Sequence, residues 1–246
     1  MTFKDHFTKQ SDVYAKFRPD YPDELFEFLA SVSPSKELAW DCATGNGQAA
    51  NGLAKYFNKV IASDASQEQI KNAAQNEGII YKVFAAEKAE IKSSTVDLIT
   101  VAQALHWFNF EKFYAEVRRV LKKDGLLAVW TYDLVKISPE IDVITKRFDR
   151  VILKNYWPPE RKLFYERYRT IPFPFELLHT PELKMSADWT LENLVGFLST
   201  WSAVQKYKDL ENSDAVDLII EELKRSWGDV KVRKAEWDLI IKIGKV

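Results

Sequence analysis

A chain of 246 residues, 46% hydrophobic and 29% charged, can bury a core of its own and is composed like a globular protein, not a disordered one. Its 35 basic and 36 acidic residues leave no basic surplus for nucleic acid, and no apolar run is long enough to span a membrane. The single cysteine, Cys42, excludes an intrachain disulfide, and His6, His106 and His179 lack metal-ligand spacing, so no metal is expected.

The opening MTFKDHFTKQ is polar and has no apolar centre of a secretion signal, so a cytoplasmic location is expected. A polar and aromatic lead-in follows, with a helix over about 22–32. ELAWDC (37–42) reads as a buried strand ending in an acid and running into a glycine turn, then a helix at GQAANGLAKYF. KVIASD (59–64) is a second strand ending in an acid, and Ser66 is a plausible N-cap for a helix over SQEQIKNAAQN. IIYKVFAA (79–86) is a weaker strand. VDLITVAQA (96–104) is nearly continuous in apolar character, as a strand covered on both faces should be. EKFYAEVRRVLKK places Phe113, Val117, Val120 and Leu121 at helical spacing, and GLLAVWTY (125–132) follows a Lys-Asp-Gly turn.

Strands alternating with helices predict right-handed βαβ crossovers and a Rossmann-like, doubly wound α/β sheet with helices on both faces. After residue 135 the rhythm breaks. ITKRFDRVILKNYW is helical, prolines cluster in WPP and IPFPF, and ELKMSADWT and EWDLIIKIGKV are strand-like, separated by helices around 191–208 and 213–226. The expectation is one domain over 1–246: a mostly parallel seven-stranded sheet with its core at about 36–135 plus the C-terminal strands, and a helical cap insertion at about 137–180. The 8 Trp, 10 Tyr and 15 Phe fall largely outside the core strands. They fit either a packed helical layer or an aromatic-lined ligand pocket.

The segment DCATGNGQAA puts Gly45 and Gly47 between strand and helix, with Ala50 as the third small position of a G-x-G-x-x-A pattern. Glycines there permit a tight turn and let a ligand touch the main chain. Asp41, four residues before Gly45, would repel a pyrophosphate but favour a ligand carrying ammonium and sulfonium groups. The loop also lacks the lysine of a phosphate-gripping P-loop. Asp64, at the end of the next strand, can accept hydrogen bonds from ribose hydroxyls. Capping of local turns is the bland reading of either acid.

WDCATGNGQAA, ASDAS and VDLITVAQALHWF resemble the signature regions of class I S-adenosylmethionine-dependent methyltransferases. The resemblance is to the type 11 group that includes trans-aconitate methyltransferase-like enzymes. YAKFRPDYP, YWPPER with IPFPF, and STWSAVQKY are similar to that group as well. The resemblance implies S-adenosyl-L-methionine as cofactor. It implies that Asp41, Ala43, Gly45 and Gly47 line its methionine end, with Gln103 and Ala104 beneath. It also implies Asp64 on the ribose, Ala65 and Gln69 beside the adenosine, Ala86 and Glu87 near the adenine, and Tyr14, Phe17, Arg18 and Tyr21 as a lid. The family's usual third loop glycine is replaced here by the Gln48–Ala50 stretch.

Methyl transfer is an in-line displacement, so alignment is the main task, and a carboxylate acceptor needs no base whereas a hydroxyl or amine does. His106, just past Gln103 and Ala104 at the carboxyl edge of the sheet, is either that base or a residue that orients its loop. Trp107 reads as a pocket wall and Tyr132 as facing the substrate, while Trp201 and Ser202 lie in the stretch that resembles the family's C-terminal pocket. Arg18 could hold an acidic substrate or pair with a nearby acid. Arg161, next to a Pro-Pro turn, is a carboxylate clamp or a solvated charge. Cys42 reads as a packing residue. The function expected is methylation of a small molecule, at a carboxylate or hydroxyl oxygen. An NAD(P)-dependent oxidoreductase and a non-catalytic cofactor-binding module are the alternatives.

Overall fold

The computed structural model describes residues 17–246. After helix α1 (Asp23–Val32), strands β1 (Leu38–Cys42), β2 (Lys59–Asp64), β3 (Ile79–Val83), β4 (Val96–Ala102) and β5 (Leu121–Tyr132) alternate with α2 (Gln48–Leu53), α3 (Gln67–Asn72) and α4 (Phe110–Val120). The five strands are parallel in the order β3-β2-β1-β4-β5. Strand order therefore reverses between β1 and β4, the switch point outside which open α/β sheets place their ligands. β6 (Glu176–Leu177), β7 (Lys184–Trp189) and β8 (Arg233–Lys245) complete the sheet. β8 runs antiparallel to β5, from Leu126 opposite Lys245 to Tyr132 opposite Leu239, and pairs antiparallel with both β6 and β7. The seven expected strands are all present, and the two-residue β6 is additional.

The alternation of side chains along the central strands divides the core in two. Leu98, Leu126, Ala128 and Trp130 bury one face, and Ile99, Val101, Leu127 and Val129 bury the other. Trp40 of β1 packs on the second face, against Phe84 and Phe113. A strand covered on both sides is apolar on both faces, which is why VDLITVA shows no regular polar alternation. Its one charged member, Asp97, is buried at the start of β4. It accepts hydrogen bonds from Leu38 N (2.9 Å), Glu37 N (3.0 Å) and the Ser35 hydroxyl (2.7 Å), and pairs with Lys122 at 2.8 Å.

Several boundaries differ from those read in the sequence, each for a tertiary reason. The helix expected to run through LKK ends at Val120, because Leu121 pairs with Val96 in the β4–β5 ladder. The strand then absorbs the Lys-Asp-Gly turn by a register shift, with Asp124 in left-handed backbone at φ 64°. α3 is a single short piece capped by Ser66, as expected, but it stops at Asn72. The helix expected over 191–208 is two helices, α7 (Leu191–Ser199) and α8 (Ser202–Glu211), because Trp201 adopts extended backbone between them. In the cap, α5 (Pro139–Arg147) runs into a π-helical turn, Phe148–Ile152, followed by α6 (Arg161–Tyr165). α9 (Ile220–Trp227) packs against α5 and α7. No helix among the described residues is long and apolar enough to cross a membrane.

Candidate active site

The turn after β1 is built by three left-handed residues: Ala43 (φ 56°), Gly45 (φ 56°) and Gly47 (φ 88°). Thr44 N donates to Ser63 O at 2.9 Å, which ties the turn to β2, and Gly47 N closes it onto Thr44 O at 3.0 Å. Close packing behind the turn falls on Gly52, two residues beyond Ala50. A Cβ there would lie 2.2 Å from the Phe26 ring of α1.

Both strand-end acids hold this turn. Asp41 is buried beneath it, accepting the Thr44 hydroxyl at 2.5 Å and the Thr100 hydroxyl at 2.7 Å, with the Ala50 backbone as a further partner. Burial raises its pKa to about 6, and the nearby Asp64 charge pushes the same way. Asp64 accepts Gly45 N (3.0 Å) on one oxygen and Ser66 N (2.9 Å) on the other. A carboxylate can accept at two oxygens, which is the chemistry a ribose diol calls for. Ala65 is exposed beside it, and Gln69 Oε1 lies 4.0 Å from where a Gly45 Cβ would stand, across otherwise open space. Ala86 is buried, and Glu87 accepts Asn109 N at 2.8 Å at the start of α4.

A cleft opens at the carboxyl end of β4 and β5. Gln103, in left-handed backbone at φ 57°, stands at its edge and takes the Thr131 hydroxyl on Oε1 at 2.7 Å. Ala104 is buried, and the turn after it presents His106 and Trp107 with their rings 4.6 Å apart. All of His106, Trp107, Tyr132, Trp201 and Ser202, which the sequence assigned to chemistry or substrate, line this one cleft. Tyr14 lies outside the described residues. Of the expected lid, Arg18 lines the cleft, donating to Tyr132 Oη at 2.6 Å with its guanidinium 5.0 Å from the Phe197 ring centre. Phe17 instead packs on Gly196, and Tyr21 meets Trp130 edge-on at 5.4 Å.

The cap contributes a fixed cation to the cleft. Arg161 is not solvated: it stacks on Trp157 and Phe164 at 3.9 and 3.8 Å and pairs with the fully buried Asp149 at 2.9 Å. Asp149 sits on the π-helical turn, whose neighbour Phe148 stacks on Trp201. The run W-P-P-E-R-K-L-F, with an arginine four residues after a tryptophan and three before a phenylalanine, was the available signal. Tyr168, which meets His106 Nδ1 at 2.6 Å, left no signal of its own. Burial, and next the Arg161 charge, drive the His106 pKa down to about 3, so the imidazole is neutral at physiological pH. Cys42 is buried and its thiol pKa is pushed up, in keeping with a packing residue.

A five-strand parallel sheet with a glycine turn and paired acids at its switch point, facing an aromatic cleft, defines a nucleoside-binding α/β enzyme. Comparison with known proteins narrows this. A family model described as a methyltransferase domain matches residues 40–129, from β1 to β5. The chain is 39% identical to a protein of Dictyostelium discoideum named as a methyltransferase, over 94% of this chain and 90% of that one. It is 25% identical to the yeast protein CRG1, named as an S-adenosylmethionine-dependent methyltransferase, over 87% of each. The solved structure of a protein described as a type II methyltransferase, from Anaeromyxobacter dehalogenans, superposes with a TM-score of 0.86 at 37% identity, covering 93% of this chain and 98% of that one. The chain belongs to the S-adenosylmethionine-dependent methyltransferases, and the oxidoreductase alternative falls away.

The residues present fit that cofactor. The stretch from Asp41 to Ala54 carries no lysine or arginine, two carboxylates lie at the turn, and the Gly45 position leaves a space that any side chain would begin to fill. A cationic ligand is favoured there over a diphosphate.

Proposed function

We propose that this enzyme methylates a hydroxyl oxygen of a small molecule that also carries an anionic group. The observation that carries this reading is the meeting of a neutral imidazole, His106, and a held guanidinium, Arg161, in one aromatic cleft beside Gln103. Asp64 would take the ribose, and Asp41, Ala43, Gly45, Gly47, Gln103 and Ala104 would line the methionine end. Ala65, Gln69, Ala86 and Glu87 would border the adenosine. When bound, S-adenosylmethionine supplies a methyl group activated by positively charged sulfur.

The chain's own task is alignment, which can contribute on the order of 7–11 kcal/mol in reactions of this kind. Trp107, Trp157, Trp201 and Phe164 present flat apolar walls that exclude water, and Tyr132 and Ser202 bring hydroxyls to the same lining. Arg161 is pre-set by stacking and by Asp149, so it meets an anion with little loss of side-chain freedom. His106 accepts the acceptor's hydroxyl proton. Its low basicity is no obstacle, because an alcohol oxygen that has gained a methyl group is a far stronger acid than imidazolium. The low pKa also keeps the lone pair present across the physiological range.

A radiolabelled-methyl screen over hydroxy acids, phenols, simple carboxylates and amines tests this. Label should pass to acceptors that have both a hydroxyl and an anion. His106→Ala should lower kcat by about 10²-fold or more with KM little changed, and Arg161→Leu should raise KM chiefly. Transfer only to carboxylates without a hydroxyl, at a rate His106→Ala leaves intact, would refute the reading.

A further inference from the structure

Two guanidiniums reach the cleft from separate elements, Arg18 from the segment before α1 and Arg161 from α6. A row of aromatic rings joins them. The ring centres of Trp157 and Trp201 are 5.6 Å apart, and those of Trp201 and Phe197 are 5.9 Å apart. Arg161 stacks on the Trp157 end of the row at 3.9 Å, and Arg18 stands over the Phe197 end at 5.0 Å.

Tyr132 accompanies Arg18, its hydroxyl 2.6 Å from Arg18 Nη1. A guanidinium has no lone pair to offer, so the direction of this bond is fixed: Arg18 donates and Tyr132 Oη accepts. The phenol proton is not spent on Arg18. Among the described residues this hydroxyl has no other hydrogen-bond partner, although Tyr132 is only 6% exposed. A buried donor of this kind is costly until an acceptor meets it, and Tyr132 lines the cleft, where an occupant can supply one. The position is rigid. Tyr132 ends β5 and pairs with Leu239 of β8, and Phe197 is wedged against Trp189 at 5.2 Å and Trp237 at 5.8 Å. Asp133 brings an acid to the lining, and Arg167 at 3.5 Å offsets it.

We propose that Tyr132 and Arg18 form a second oxyanion site in the cleft, so that the methyl acceptor is a flat hydroxy diacid. One carboxylate meets Arg161. The other accepts from the Tyr132 O–H beside the Arg18 charge, and the body of the molecule lies along the aromatic row. The hydroxyl and the first carboxylate rest on the proposed function, whereas the second site rests on the Arg18–Tyr132 geometry. Tyr132 and Arg18 select the acceptor and take no part in proton transfer. A monoacid of the same shape leaves the Tyr132 proton unmet, which is how the site discriminates against it.

Calorimetry on the full chain loaded with S-adenosylhomocysteine tests this with three probes. The first is 3-hydroxybenzoate; 5-hydroxyisophthalate and 2-hydroxyterephthalate each add one carboxylate to it, at two different spans. At least one diacid should bind about tenfold or more tighter than the monoacid. Tyr132→Phe should bring that ratio to within about twofold of unity. Arg18→Met, which keeps an apolar stem against Phe197, should do the same and serves as the second variant if Tyr132→Phe does not fold. No preference for either diacid, binding of none of the probes, or a preference that survives both substitutions would overturn the proposal. Because binding is read without methyl transfer, a diacid preference in a protein that methylates no hydroxyl would refute the hydroxyl reading alone. Hydroxyl methylation with equal affinity for monoacid and diacids would refute the second site alone.

Discussion

Asp41 offers a sharp test of the electrostatics beneath the cofactor turn. Burial raises its pKa from 3.8 to about 6, although Thr44, Thr100 and the Ala50 backbone all bond its charged form. Between about pH 4 and pH 6 the folded protein holds a proton that the unfolded chain has released. Folding is then linked to proton uptake, so this group's contribution falls as pH rises through that window and levels off above it. Two units at about 1.4 kcal/mol each amount to roughly 3 kcal/mol. Asp41→Asn preserves the shape and cannot titrate, while groups remote from position 41 titrate alike in both proteins. Urea unfolding of the pair at pH 4, 5, 6 and 7 should therefore show the wild type losing about 3 kcal/mol relative to the variant across the series. A difference that stays level within about 0.5 kcal/mol, or rises with pH, would show that the Asp41 carboxylate is not destabilised by its burial and would refute the reasoning.

Asp64→Asn should weaken S-adenosylhomocysteine binding by about 1.5–3 kcal/mol, since a charged acceptor is replaced by a neutral one that faces two N–H donors with a single oxygen. Isothermal calorimetry on the folded variant checks this, and an unchanged dissociation constant would remove Asp64 from the ribose. Gly52→Ala should destabilise by about 1–3 kcal/mol despite alanine's better helix propensity, because the new methyl would overlap the buried Phe26 ring. A thermal melt reads this as a lower Tm, and an equal or higher Tm would show that α1 yields freely.

The α/β order, the glycine turn and its two acids were legible in the amino-acid sequence because each depends on neighbours in the chain. Strands covered on both faces are mostly apolar without alternation, as VDLITVA is, and a tight turn between strand and helix demands the small residues of DCATGNGQ at fixed spacing. His106, Trp107, Tyr132, Trp201 and Ser202 were also marked in advance, and the structure gathers all five in one cleft. The precise ends of helices were not legible where a strand claimed the same residues, as Leu121 shows by pairing with Val96. Only the folded chain could decide what completes the cleft. Arg18 reaches Tyr132 across 114 positions and Tyr168 reaches His106 across 62, while Arg161 is made a fixed feature by an aspartate on a π-helical turn. Such contacts have no period and no local propensity, because they are chosen by how separate elements pack and not by any one element's own backbone.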